Sequence, residues 1–87
     1  MGNLLFTENA WEEYLYWQTQ DKKTLKRINQ LLQDISRNGF EGIGKPEPLK
    51  GDFSGFWSRR IDETNRIVYR LSGKNIEIIQ CKGHYKD

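Results

Sequence analysis

In 87 residues the sequence holds one cysteine, one histidine and two prolines, and no apolar run approaches the roughly 20 residues that a membrane-spanning helix requires. With a single thiol, Cys81, neither an internal disulfide nor a cysteine-based zinc site can form, which fits a reducing cytoplasm. The N-terminus lacks the charged-then-apolar pattern of a secretory signal. Met1-Gly2 is followed by Phe6 where a myristoylation motif needs serine or threonine. There is no glycine-rich phosphate loop, no paired-carboxylate metal site and no serine-histidine-aspartate order. The expectation is a cytoplasmic protein with no membrane partner, no metal and no cofactor.

What is present is one domain's worth of chain, spanning 1–87, with no repeat, low-complexity tract or composition break. A chain of this size buries roughly 60–65 % of its unfolded surface, so stability is expected at about 5–10 kcal/mol. Eleven aromatic residues supply a core and argue against disorder. The formal net charge of +2 conceals an asymmetry. Residues 1–21 carry four acids and no lysine or arginine, whereas residues 22–87 hold all fourteen bases against eight acids, a local excess of +6. Such an excess favours an anionic partner, nucleic acid first, although solvated lysines are the plainer explanation of charge taken alone.

Residues 3–7 read as a strand, with Thr7 capping a helix over 8–20 whose apolar side is Ala10, Trp11, Tyr14, Leu15 and Trp17. Asp21 caps a second helix to about Arg37, in which Leu25, Ile28, Leu31, Leu32 and Ile35 recur at helical spacing. Asn38-Gly39 stops it, and Gly42, Gly44, Pro46 and Pro48 predict an irregular segment over 38–48. Strands are predicted over 49–51, 56–62, 65–71 and 75–81, joined by turns at 63–64 and 72–74. The fold class is α+β: an N-terminal strand, a two-helix hairpin, then an antiparallel sheet of three to four strands. Arg66, Val68 and Arg70 share one sheet face, Ile67, Tyr69 and Leu71 the other.

Several residues have the chemistry for cutting RNA without a metal. That reaction needs a base for the 2′-hydroxyl, cations for the pentavalent phosphate, an acid for the leaving 5′-oxygen, and alignment. Glu47, between two prolines that restrict the backbone, has the properties of the base; read alone it is equally an ordinary surface glutamate. His84 is the one side chain that exchanges a proton readily near neutral pH, and it follows the last strand beside Tyr85; a lone histidine is nevertheless more often packed or solvated than catalytic. Tyr85 can stack on a base, donate a hydrogen bond to phosphate, or simply seal the sheet edge. Arg59, Arg60, Arg66 and Arg70 offer bidentate phosphate contacts, with some expected to pair instead with Asp62, Glu63 or Glu77. Lys45 and Lys50 flank the Glu47 loop and raise its positive potential.

Four stretches taken together, WEEYLYWQ at 11–18, FEGIGKPEPLKG at 40–51, SGFWSRRIDETNRIVY at 54–69 and CKGHY at 81–85, resemble the YoeB/Txe toxins of the RelE superfamily, from the first strand to Tyr85. The resemblance implies a RelE-like, microbial-RNase-like fold and a toxin of a type II toxin-antitoxin system that cleaves mRNA in the ribosomal A site. By position within the matched motifs, Glu47 takes the role of general base, His84 of general acid and Arg66 of transition-state stabiliser. Tyr85 and Lys50 match supporting active-site positions, and Arg60 a phosphate-binding one. The resemblance also implies these partners: a cognate antitoxin with a disordered tail that wraps the toxin, the 70S ribosome with its mRNA, operator DNA reached through the antitoxin complex, and a second copy in a homodimer. Two departures stand out: Lys86 and Asp87 follow the His-Tyr pair, and Thr64-Asn65 replaces a turn often acidic-histidine in relatives. A non-catalytic basic module that blocks the ribosome by occupancy is the alternative from a different class.

Overall fold

The computed structural model describes residues 2–84. After β1 (Asn3–Phe6) come α1 (Glu8–Gln20) and α2 (Lys22–Asn38), then β2 (Glu47–Pro48), a single 3-10 turn (Gly51–Phe53), β3 (Trp57–Arg60), β4 (Arg66–Ser72) and β5 (Asn75–Gln80). Both helices start where side-chain caps are available. Thr7 Oγ1 accepts from the Ala10 amide at 3.1 Å, and Asp21 Oδ1 accepts from the amides of Lys23 and Thr24, each at 3.1 Å. The Thr24 hydroxyl, donating to Asp21 Oδ2 at 2.8 Å, and these amides hold the Asp21 carboxyl below its usual range.

The strands form one sheet in the order β1-β5-β4-β3-β2. The last four are antiparallel, as the alternating pattern predicts, and β1 joins in parallel against β5, so that the sheet is five-stranded and mixed. The helices cover one face. Ala10 and Trp17 of α1 and Ile28, Leu31, Leu32 and Ile35 of α2 pack on Ile61, Ile67, Tyr69, Ile76 and Ile78. Every member of the second helical stripe predicted from sequence faces this core, with Leu25 packed at its margin. In α1 the buried stripe is narrower than the sequence suggests. Trp11 is 47 % exposed and Leu15 42 %, because residues 10, 14 and 17 form the stripe that meets the sheet and 11 and 15 lie one stripe aside. Trp11 instead lies against Tyr14, ring centroids 5.8 Å apart, and meets Phe6 edge-on.

The segment before β3 also departs from expectation. The strand predicted at 49–51 lies two residues earlier, at Glu47–Pro48, within the stretch read as irregular. Proline tolerates an outermost strand because its missing N–H need not face a neighbour. One further bond, from the Leu49 amide to Phe56 O at 2.9 Å, extends the pairing. Gly51, at φ +63°, then turns the chain into the 3-10 turn and ends the extended run.

Candidate functional site

Glu47 is placed by a buried arginine. Arg59, on the helix-facing side of β3, is fully buried, and its Nη1 donates to Asp34 Oδ2 at 2.6 Å and to Ile43 O at 2.7 Å. Its Nη2 donates to the carbonyls of Gly39 at 2.9 Å and Glu41 at 2.8 Å, and its Nε to Tyr69 Oη at 3.1 Å. Three carbonyls of residues 39–43 thus converge on one guanidinium, which converts an otherwise irregular connection into a fixed lead-in to β2. Asp34 also accepts from Asn38 Nδ2 at 2.8 Å and the Ile43 amide at 3.1 Å. The Arg59 guanidinium beside Asp34 holds its carboxyl below the usual carboxylate range, against the opposing effect of burial. Burial raises the Tyr69 phenol in spite of Arg59, and its hydroxyl donates to Gly39 O at 2.7 Å. Gly44 completes the lead-in: at φ +81° its carbonyl accepts from the Arg60 amide, and an added Cβ would stand 2.6 Å from Leu31 Cδ2.

Strand register determines which side chains share the open face. Glu47 pairs with Ser58, Ser58 with Val68 and Val68 with Gln80, while Arg60 pairs with Arg66. Directly paired residues project to the same side and neighbours two apart do likewise, so Glu47, Arg60 and Arg66 lie on the face away from the helices. Two strand spacings across and two residues along put the Glu47 and Arg66 backbones about 12 Å apart, and the Arg66 head is turned back toward the β3–β4 turn, its Nη1 donating to the carbonyls of Asp62 and Asn65. Buried Ser58 and Val68 form the floor between them. Arg60 opposite Arg66 is a like-charge cross-strand pair, an arrangement that is mildly destabilising unless an anion sits between the two heads.

His84 reaches the same region through the chain that follows β5. Trp17 Nε1 donates to Cys81 O at 2.9 Å and the Cys81 amide donates to Glu13 Oε1 at 2.8 Å, so α1 grips the end of the sheet. Burial pushes the Cys81 thiol up to about 12, with the Glu13 carboxylate acting in the same direction. Two residues on, Gly83 O accepts from the Arg66 amide at 3.0 Å, which sets exposed His84 next to the start of β4. Lys50 is exposed three residues beyond Glu47 on the same outer edge. Tyr85 lies outside the described residues. The other arginines are committed elsewhere: Arg59 is behind the sheet, and Arg70 pairs with Glu77 at 2.5 Å and lies over the Phe56 ring at 5.3 Å. Among the described residues, no three His, Cys, Asp or Glu side chains are grouped as metal ligands.

Of the expected arginine partners Glu77 meets Arg70, whereas the pairing of Arg59 with Asp34 and the part Asn65 plays in holding Gly83 are not among the sequence expectations. Asn65 Oδ1 accepts from the Gly83 amide at 2.7 Å. Its signals in the sequence are its place immediately before Arg66 and the departure of Thr64-Asn65 from the turn of the family it resembles.

Two helices packed on one face of a five-stranded mixed sheet make the RelE-like fold. The family model for the YoeB-like toxin of bacterial type II toxin-antitoxin systems matches residues 6–85, and the chain belongs to that family. A toxin YoeB of Streptomyces coelicolor is 52 % identical over 94 % of this chain and 98 % of its own. The YoeB/ParE toxin from Agrobacterium tumefaciens superposes with a TM-score of 0.90 at 47 % identity, over 95 % of this chain and 99 % of that one. YoeB of Staphylococcus aureus has been solved as a dimer and in complex with YefM. Both superpose with TM-scores of 0.88, at 49 % and 48 % identity, over 97 % and 98 % of this chain and 98 % and 99 % of theirs.

Proposed function

We propose that this toxin is a ribosome-dependent, metal-independent endoribonuclease that cuts mRNA in the A site and thereby stops translation. The observation that carries the reading is the convergence on one open sheet face of Glu47, the opposed Arg60–Arg66 pair, and the His84 segment bonded to the Arg66 backbone. Glu47 takes the proton of the 2′-hydroxyl and the 2′-oxygen attacks phosphorus in line. Arg66, aided by Arg60 and Lys50, holds the phosphoryl oxygens as negative charge grows. His84 gives a proton to the departing 5′-oxygen, leaving a 2′,3′-cyclic phosphate and a 5′-hydroxyl. Tyr85 serves as a supporting contact to base or phosphate.

Residues 1–87 act as one domain in the cytoplasm. A cognate antitoxin covers the toxin and carries it to operator DNA, and a second copy forms a homodimer. The S. aureus complex and dimer support both protein partners, and so does the apolar surface on α1, where Trp11, Leu15 and Tyr16 are each more than 40 % exposed.

Primer extension on a defined mRNA, with and without programmed ribosomes, tests the reading. Wild type is expected to yield new ends only with ribosomes, and Glu47→Ala to lower their rate by about 10²–10⁴ while still binding. Translation arrest without new ends in either protein would establish blockade by occupancy instead.

A further inference from the structure

The turn between β3 and β4 holds a closed circuit of hydrogen bonds. Asp62 Oδ1 accepts from the amides of Thr64 at 2.8 Å and Asn65 at 2.7 Å, and both its carboxylate oxygens accept from Asn65 Nδ2 at 3.1 Å. The other end of that carboxamide, Oδ1, accepts from the Gly83 amide at 2.7 Å. Gly83 O accepts in turn from the Arg66 amide at 3.0 Å and from Gln80 Nε2 at 3.1 Å. Arg66 Nη1 donates to the carbonyls of Asp62 at 2.5 Å and Asn65 at 3.0 Å. The same four-residue turn therefore aims the Arg66 head and fixes the glycine that precedes His84.

A turn of this kind needs Asp62 alone, since its carboxylate already satisfies the two turn amides. The bond from Asn65 to Gly83 spans 18 residues of sequence and adds nothing to the turn itself. A carboxamide donates at one end and accepts at the other across a rigid plane, so it relays the position of the turn to the C-terminal segment. Gly83, at φ +80° with open space where a Cβ would stand, otherwise has wide backbone freedom.

We infer that Asn65 is a positioning residue: held by Asp62, it clamps Gly83 and so fixes His84 relative to Arg66. This rests on the nuclease reading above. The geometry demanded by proton transfer is strict, and a displacement of about 1 Å is enough to cost on the order of 100-fold in rate.

The test is single-turnover cleavage of a defined mRNA on programmed ribosomes across toxin concentrations, for wild type, Asn65→Ala and the exchanged pair D62N/N65D. In the exchanged pair the amide at 62 donates to the carboxylate at 65, which still accepts from Gly83, so the circuit is rebuilt with only the bond between 62 and 65 reversed. N65A is expected to cleave about 100-fold more slowly at saturation, with its half-saturating concentration nearly unchanged and most of the rate recovered in D62N/N65D. Amide hydrogen exchange should accelerate at Gly83 in N65A, with Ile67 and Ile78 unchanged, and return in the exchanged pair. Cleavage by N65A at the wild-type rate, or a loss that the exchanged pair fails to recover while Ile67 and Ile78 also open, overturns the positioning role. Wild type that leaves the mRNA uncut on ribosomes refutes the nuclease reading itself, a different result from either.

Discussion

Replacing Asp34 by asparagine leaves the Arg59 guanidinium fully buried with no counter-charge, while its bonds to the carbonyls of Gly39, Glu41 and Ile43 remain. Removing one partner of a buried ion pair costs about 3–5 kcal/mol. The low end applies here, because the Asp34 side chain keeps 19 % of its exposure and the three carbonyls solvate part of the charge. About 3 kcal/mol is a large share of the 5–10 kcal/mol expected for a chain this small, and corresponds to a fall in Tm of roughly 12–24 °C. Urea unfolding followed by tryptophan fluorescence measures it, and the slope should stay constant if the native state is otherwise intact. The pH dependence separates charge from shape. Since Asp34 is lowered in the folded state, its contribution is complete above the unfolded carboxylate range and disappears as pH falls through the folded value. The gap between wild type and D34N should therefore be widest at neutral pH and narrow below about pH 4. A loss under about 1 kcal/mol, or a gap that does not narrow in acid, would refute the claim that this pair holds the lead-in to Glu47.

Two further outcomes follow from geometry already described. Arg66→Lys keeps a positive charge but has no planar fork to meet both the turn carbonyls and a phosphate, so cleavage on ribosomes should drop about 10²–10³-fold, and lysine activity near wild type would show that charge alone suffices. Cys81, buried and with its thiol pushed up to about 12, should resist a disulfide reagent at pH 8 in the native protein and react at once in denaturant; rapid native labelling would contradict the packing of α1 on the end of the sheet.

The helices were legible because their signals are local. Thr7 and Asp21 lie where caps belong, and the stripe from Leu25 to Ile35 has one period and one face. The parallel docking of β1 was not, since four residues of strand pattern are compatible with any edge and either direction. Nor was β2, where two prolines mask a two-residue pairing that only the partner strand defines. The charged residues divide in the same way. Arg66 was set apart from Arg59, Arg60 and Arg70 only by the family resemblance, whereas Glu47 and His84 could be nominated by side-chain chemistry. Arg59 and Asn65 could not, because what distinguishes them is the backbone groups they meet, 16–20 residues away for Arg59 and 18 for Asn65.

That division has a physical origin in the size of the chain. A core of this extent is filled by two helices and one sheet face, so apart from the Arg59–Asp34 pair the charged groups gather on the opposite face and at the sheet's margins, where backbone is least constrained. Arg60 and Arg66 sit at strand ends, whereas Glu47 and His84 sit on short or irregular segments held by polar side chains acting on main-chain atoms: Arg59 on residues 39–43 before Glu47, and Asn65 on Gly83 before His84, with Glu13 and Trp17 holding Cys81 at the end of β5. The Arg59 anchor shares neither a hydrogen-bond partner nor a segment with the other two, so weakening it should misplace the lead-in to Glu47 and leave the C-terminal segment in register. Stability and activity then respond in different proportion. Loss of the buried Arg59–Asp34 pair should be felt in unfolding and, through Glu47, in the proposed cleavage, whereas loss of the half-buried Asn65 contact should be felt mainly in the proposed cleavage.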